Sequence, residues 1–388
     1  MGTSIVAALG AGIYLAGNPV AGNGLIRVSQ AGDTGNAAAP NGAGRISSKA
    51  TAADPGPTYA QLASRSAVLL ESTFYNGTGL WHMCYPLGIC ATKNRDWGSD
   101  SLTNLLYFRW LTTNDQSVLP ILRQLAQTAR YWPSQSTASS DSVMWDAVAE
   151  LRMYQATGSK IALEKAAAAL QWLATDPGLA TGACPAIDYQ WPHGQRGDLK
   201  TIETASNYIK ALLLMYQITG GPSYLATAQA QYAEVRQYFL ARAVPLYTAY
   251  MFDDGTSCHV LRGQYFASVN GNMIWAGVAL AQATGNPVYL SQAIATARAV
   301  QHRLGDGTGV FADLQADNDI VGPLIEAMYS LATTARQAFA VRWLMVNASA
   351  AGADTNPLGE FGRFFDGPPP ASIATAWQMD GGMAVMMA

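Results

Sequence analysis

The sequence predicts an all-α protein built of stacked helical hairpins, and three observations predict it. A turn recurs: "TGSKIALEKA" (157–166), "TGGPSYLATA" (219–228) and "TGNPVYLSQA" (284–293) share Thr-Gly, a Leu six residues after the Thr and an Ala three further on, with "TTNDQSVLPIL" (112–122) as a looser copy. Each turn follows a long segment that is apolar on several faces, such as "DAVAELRMYQA" or "GNMIWAGVALAQA". Each precedes a more amphipathic segment, such as "YLATAQAQYAEVRQYFL".

The unit follows from its parts. The Gly closes the first helix in the left-handed conformation, and the next residues cap the second. A helix apolar all round is buried, whereas one with a single apolar stripe keeps a wet face. Such hairpins stack either into a superhelix or into a closed toroid with an inner and an outer ring. The Thr residues of the clear copies lie 62 and 65 residues apart, longer than ordinary solenoid repeats. The extra length falls between the second helix of one pair and the first of the next. All insertions therefore gather at one end, where loops on a rigid scaffold carry function.

The first 57 residues read differently. Residues 4–17, "SIVAALGAGIYLAG", are too short for a membrane span of about 20 residues and lack a basic region in front, as in a trimmed signal or a surface-packed arm. Residues 29–57 are rich in Gly, Ala, Ser and Pro without periodicity, as in a linker. Compact folding is expected to begin near Thr58, with 58–388 as one domain.

Composition narrows the partners. Charged residues make up 13% of the chain, against roughly 25% in an average domain. The net charge of −3 and the absence of Lys/Arg runs argue against nucleic acid. Thirty-eight aromatics, ten of them Trp, suit a neutral ligand with a flat apolar face such as a sugar, although aromatics are also core material. Cys84 and Cys90 enclose a plausible small disulfide loop, leaving Cys184 and Cys258 for a second bridge; buried thiols are the alternative. Asn76-Gly-Thr and Asn347-Ala-Ser match the glycosylation sequon. His82, His193, His259 and His302 show no metal spacing, and no phosphate loop or nucleophile elbow is present, so no metal or cofactor is expected.

The segment "SSDSVMWDAVAELRMYQATG" (139–158) carries Asp141, Asp146 and Glu150 in an otherwise apolar helix. At about 100° per residue, Asp141, Trp145 and Arg152 flank the apolar sector on one side and Asp146 and Glu150 on the other, so Asp141 points away from the other two. A helix N-cap is the plain structural role for Asp141. For Asp146 and Glu150 it is pairing with backbone amides or an Arg of a neighbouring helix.

These blocks resemble a known family. "ASRSAVLLESTFYNGTGLW" (63–81), "DWGSDSLTNLLYFRWL" (96–111), "DSVMWDAVAELRMYQATG" (141–158), "TIETASNYIKALLLMYQITGGPSYLATA" (201–228), "MFDDG" (251–255) and "ASVNGNMIWAGVALAQATGNPVYLSQA" (267–293) follow in order the blocks of glycoside hydrolase family 76, the α-1,6-mannanases. The resemblance implies an (α/α)6 barrel and a retaining hydrolase. In that family two consecutive aspartates, four and three residues before a Trp, serve as nucleophile and general acid/base. Counted from Trp145 they fall on Asp141 and Ser142. The first carboxylate is kept and the second is missing. A serine hydroxyl is far too weak an acid to protonate a leaving oxygen, so the acid must come from elsewhere or activity is lost.

Asp146, nearer the start of the helix than Glu150, is the substitute acid the sequence offers. On the loop face, Asp96 and Asp100 flank Trp97, the Asp253/Asp254 pair lies in turn-like "FDDG", and Asp317 and Asp319 lie in "QADNDIVG". Trp97, Trp145, Tyr189, Trp191 and Trp275 are candidate stacking platforms. Ser142 is expected beside the substrate, and Asn207 and Asn270 open inner helices where the family places amides toward the cleft. His193 is a further cleft candidate. The expectation is a monomeric enzyme, secreted or held at the cell surface or in the periplasm, that cleaves or transfers α-linked mannose-type polysaccharide or oligosaccharide, with Asp141 as nucleophile. The alternatives are a glycan-binding protein on the same scaffold and an (α/α)6 enzyme of other specificity.

Overall fold

The structure, a computed structural model, describes residues 57–86, 97–128, 139–175, 184, 199–312, 320–365, 367, 369 and 374–388. Of the residues singled out above, Cys90, Asp96, Tyr189, Trp191, His193, Asp317, Asp319 and the chain before residue 57 lie outside them.

Helix α1 (Tyr59–Leu69) starts directly after Thr58, whose hydroxyl and backbone close a capping box with Gln61. Eleven more helices follow: α2 (Trp97–Thr113), α3 (Leu119–Gln127), α4 (Ser140–Thr157), α5 (Lys160–Ala174), α6 (Ile202–Thr219), α7 (Pro222–Phe239), α8 (Ala267–Thr284), α9 (Pro287–Arg303), α10 (Gly322–Thr333), α11 (Ala338–Asp354) and α12 (Ala376–Met387). The even-numbered helices pack side by side in the order α2, α4, α6, α8, α10, α12 and back to α2. The ring is closed, which decides for the toroid against the open superhelix. Helices α3, α5, α7, α9 and α11 each lie outside the inner helix before them in the chain, and α1 lies outside α12. The fold is an (α/α)6 barrel.

Burial separates the two rings as the patterning requires. Helix α4 is buried without a break from Ser140 to Met153 and α8 from Ala267 to Leu280. Outer helix α7 buries one stripe, Ala228, Tyr232, Val235 and Phe239, at the three- and four-residue steps of an amphipathic helix. Where α8 meets α10 the backbones nearly touch: a Cβ on Gly271 would lie 2.4 Å from the Leu324 nitrogen, so only glycine fits.

The recurring turn is one structure used three times. Gly158, Gly220 and Gly285 end α4, α6 and α8 with φ near +70°, each returning its N–H to the carbonyl four residues back. The Thr before each glycine donates its hydroxyl to its own helix (2.6–2.7 Å) and accepts the N–H of the residue after the glycine (3.2–3.3 Å). In the looser copy after α2, Thr113 repeats the hydroxyl bond and Asn114 takes the left-handed position at φ 55°.

Strand β1 (Cys84–Tyr85) pairs with β5 (Ala374–Thr375), and in a second antiparallel sheet, just before α6 and α8, β3 (Tyr250–Asp253) pairs with β2 (Leu199–Thr201) and β4 (Cys258–Leu261). Cys184 is bridged to Cys258, tying this sheet to the α5–α6 connection. Cys84 is also disulfide-bonded, and neither thiol alternative applies to it or to this pair. The sequon residue Asn347 is fully buried, with its amide on Phe311, Gly309 and Trp343 backbone groups, so it offers no glycosylation site in the folded chain.

Candidate active site

Aligning the inner helices on their turn glycines exposes the site. Asp141, Glu203 and Ser268 each stand seventeen residues before their glycine, as the second residue of α4, α6 and α8. They therefore share one level at the open end of the barrel. At a helix N-terminus unpaired N–H groups and the macrodipole favour negative charge.

Asp141 is not the cap of its helix. Ser139 is, accepting the Ser142 N–H at 3.2 Å. Ser142 contributes to this cap, its hydroxyl 3.4 Å from that of Ser139.

Glu203 faces Asp141 from the neighbouring helix, and the sequence reading overlooked it. It is the one residue of α6 between Ile202 and Met215 that is not fully enclosed. Its Oε2 accepts a 2.8 Å hydrogen bond from Ser268, whereas Oε1 is shut off from solvent and has no hydrogen-bond partner. Burial first, and then the negative charge of Asp141, push its pKa up from 4.5 to about 8, against the opposing pull of Ser268. At neutral pH Glu203 is a neutral acid beside a carboxylate.

One helical turn below lie Trp145, Asn207 and Asn272. Asn272 donates to Asn207 Oδ1 at 2.9 Å and to Ser206 Oγ at 3.3 Å, and Asn207 donates to the Glu203 carbonyl at 3.2 Å. This chain fixes the first turn of α6 and hence the Glu203 backbone. Trp97 stacks on Trp377 with centroids 5.4 Å apart at 14°, and tilts against Trp145 at 6.4 Å. Three tryptophans from α2, α12 and α4 thus form one aromatic row. Beside it Asp100 is fully buried, and Ser101 donates to Asp380. Asp380 lies against the N-terminus of α10, where a Cβ on Gly322 would sit 3.1 Å from both carboxylate oxygens.

Deeper in the barrel Glu326 of α10 pairs with Lys210 at 2.6 Å and with Arg152. Arg152 lies over the Tyr107 ring at 4.5 Å, and both cations lie over Trp275 within 5.5 Å. Trp275 is therefore occupied from within the protein. Burial disfavours the charge on Glu326, but the Arg152 and Lys210 charges outweigh it and hold the carboxyl below its ordinary range.

The other expected residues are placed as follows. Asp146 and Glu150 share the opposite flank of α4, and Glu150 lies 3.7 Å from Lys165 of outer helix α5. Lys165 also donates to the Ala126 and Thr128 carbonyls. The Asn270 amide is engaged by the backbone of Tyr247 and Phe266. Asp254 organises the β3–β4 turn, accepting from Thr256 and Ser257, and these bonds lower its pKa. The same Asx-Gly-Thr turn recurs at Asn76 and Asp306. Asp253 is fixed by the Cys184 and Gly255 N–H groups, at 2.9 Å each. Among the described residues, no three His, Cys, Asp or Glu side chains converge as a metal site requires.

Neither a family model nor a curated protein matches the sequence. Solved structures do match the model. An α-1,6-mannanase of glycoside hydrolase family 76 from Salegentibacter sp., in an inactive form with two consecutive aspartates changed to alanine and in complex with α-1,6-mannotetrose, aligns with a TM-score of 0.73 at 17% identity. That alignment covers 85% of this chain and 98% of that one. A family 76 glycoside hydrolase (mannosidase) from Bacteroides thetaiotaomicron aligns at 0.71 with 13% identity, covering 85% and 97%. Dfg5 from Chaetomium thermophilum, in complex with glucosamine, aligns at 0.68 with 13% identity, covering 85% and 89%. The chain shares their fold.

Proposed function

We propose that the chain is a glycoside hydrolase or transglycosidase acting on α-linked mannose-type chains, with Asp141 as the nucleophile of a double displacement. The observation that carries this reading is Asp141 itself: a carboxylate at the start of an inner helix capped by Ser139, beside a row of tryptophans. The α-1,6-mannanase complex of the same fold supports mannose as the sugar. Tryptophan faces stack on the apolar side of a pyranose, while amides and carboxylates take its hydroxyls. A carboxylate at a helix N-terminus stays ionised and able to attack an anomeric carbon. The Cys184–Cys258 bridge accords with an oxidising compartment, and no helix among the described residues is long and apolar enough to cross a membrane.

Asp141→Asn tests the assignment. On α-1,6-mannan the variant is expected to lose at least about 10³-fold in kcat/KM, as for other lost nucleophiles, with its circular dichroism unchanged. Activity equal to wild type removes Asp141 from the mechanism. One observation favours a second reading, a glycan-binding protein: Ser142, at the position of the missing aspartate, serves the helix cap. In that case wild type binds mannan without turnover, and Ser142→Asp creates hydrolysis.

A further inference from the structure

We infer that Glu203 is the proton donor of this site, standing in from the neighbouring inner helix for the acid missing at Ser142. The inference rests on the reading of Asp141 as nucleophile.

Four features lead to Glu203. It occupies the same register as Asp141 on the adjacent inner helix, so both carboxyl groups open toward the same end of the barrel. It interrupts an otherwise unbroken buried run, so the residue is partly exposed where its neighbours on α6 are buried. Its two oxygens are already differentiated: Oε2 accepts from Ser268, and Oε1 has no hydrogen-bond partner, so no neighbouring protein group takes the proton of the neutral carboxyl. Finally, burial and the Asp141 charge keep it protonated at neutral pH, with a pKa of about 8. Two carboxyls driven apart in this way divide the roles of acid and nucleophile.

The rival carboxyls are engaged otherwise. Glu326 is held ionised between Arg152 and Lys210. Glu150 is drawn toward Lys165, and Asp146 shares its flank of α4. Asp253 and Asp254 hold the β3–β4 turn. Asp100 is fully enclosed. Asp380 takes the Ser101 hydroxyl beside the α10 N-terminus.

The step balances. The proton of the Glu203 carboxyl passes to the glycosidic oxygen as the C1–O bond breaks and an Asp141 oxygen bonds to C1, and the leaving sugar departs as a neutral alcohol. The Glu203 carboxylate then takes a proton from water, or from an acceptor sugar hydroxyl, whose oxygen displaces Asp141 from C1. Both groups return to their starting states.

Glu203→Gln keeps the shape and removes the proton. The wild type and this variant are compared on an α-1,6-mannooligosaccharide and on 2,4-dinitrophenyl α-mannoside, whose leaving group needs no acid. The expected loss is about 10²–10⁴-fold on the oligosaccharide, with the first release of dinitrophenol retained and turnover restored by azide as the mannosyl azide. The charged group that Glu203 faces is Asp141 on α4, while α8 on its other side carries no titratable side chain and presents Ser268. The basic limb of the wild-type kcat/KM profile is therefore expected near pH 8 and absent from the variant. Glu203→Asp, which retains a carboxyl, is expected to keep part of the oligosaccharide activity together with a basic limb. Wild-type activity of Glu203→Gln on the oligosaccharide overturns the inference and leaves Asp141 standing. Equal loss on both substrates without azide rescue also overturns it, since Glu203 then only supports the fold. A wild type inactive on both substrates overturns the proposed function and the inference together.

Discussion

Two glutamates of the inner ring, Glu203 near the mouth and Glu326 deeper in, are both removed from water, yet burial leads to opposite outcomes. Glu326 lies between Lys210 and Arg152, and two cations outweigh the desolvation that disfavours its charge. Glu203 has one hydroxyl and a like charge for company, and its carboxyl is pushed up to about 8. Depth alone therefore does not separate a structural carboxyl from a reactive one. The sign of the neighbouring charge does. The deep cluster ties α4, α6 and α10 together across the barrel, whereas the shallow pair keeps a proton on Glu203 beside the Asp141 carboxyl.

That contrast breaks first at Glu326. Glu326→Ala leaves two buried cations without their anion, and removing one member of a buried ion cluster costs about 3–5 kcal/mol. Thermal or urea unfolding is expected to show that loss at neutral pH. Glu326 contributes stability above its ordinary value of 4.5, and this is lost as pH falls through its lowered native value, so the difference between variant and wild type narrows in acid.

Glu203→Gln is expected to move stability the other way. Between 4.5 and about 8 the folded chain keeps a proton on Glu203 that the unfolded chain releases, so wild-type stability falls as pH rises across that window. Above it the variant is expected to be more stable by about 1–3 kcal/mol, the scale of an under-bonded buried polar group. Unfolding curves at pH 5 and pH 9 check the sign. A variant less stable than wild type at pH 9 makes Glu203 a second structural carboxyl like Glu326.

The smallest effect tunes the contrast. Ser268 lowers the Glu203 pKa, so Ser268→Ala is expected to carry the basic limb of the activity profile upward while kcat at neutral pH changes by less than about tenfold, the weight of one hydrogen bond. A downward shift contradicts the assignment of Ser268 as the group that partly offsets burial.

Much of the scaffold was legible before the structure. The Thr-Gly turns mark where α4, α6 and α8 end, and the change from all-round to one-sided apolar patterning assigns inner and outer rings. The family resemblance singles out Asp141 by its spacing to Trp145, and the structure puts it in the first turn of α4; Asp254 was legible as a turn residue from Asp-Asp-Gly. Glu203 stands in the same repeat, seventeen residues before its glycine as Asp141 is, but only an alignment of the inner helices on their glycines brings the two to one level. Asp146 shares a helix with Asp141 and lies on its opposite flank. Trp377 and Asp380 carried no such mark, because α12 joins α2 only when the ring closes.

The sequence by itself determined the hairpin unit, its caps and the ring to which each helix of the four repeated pairs belongs. Those depend on backbone hydrogen bonds and apolar periodicity over one to five turns, which local residues control. Only the tertiary structure decided that Asp141 meets Glu203, that Glu326 meets two cations, and that the tryptophans of α2, α4 and α12 form a single row. Desolvation and Coulomb energy depend on which side chains closure of the ring brings together, and residues far apart in the chain acquire neighbours only then.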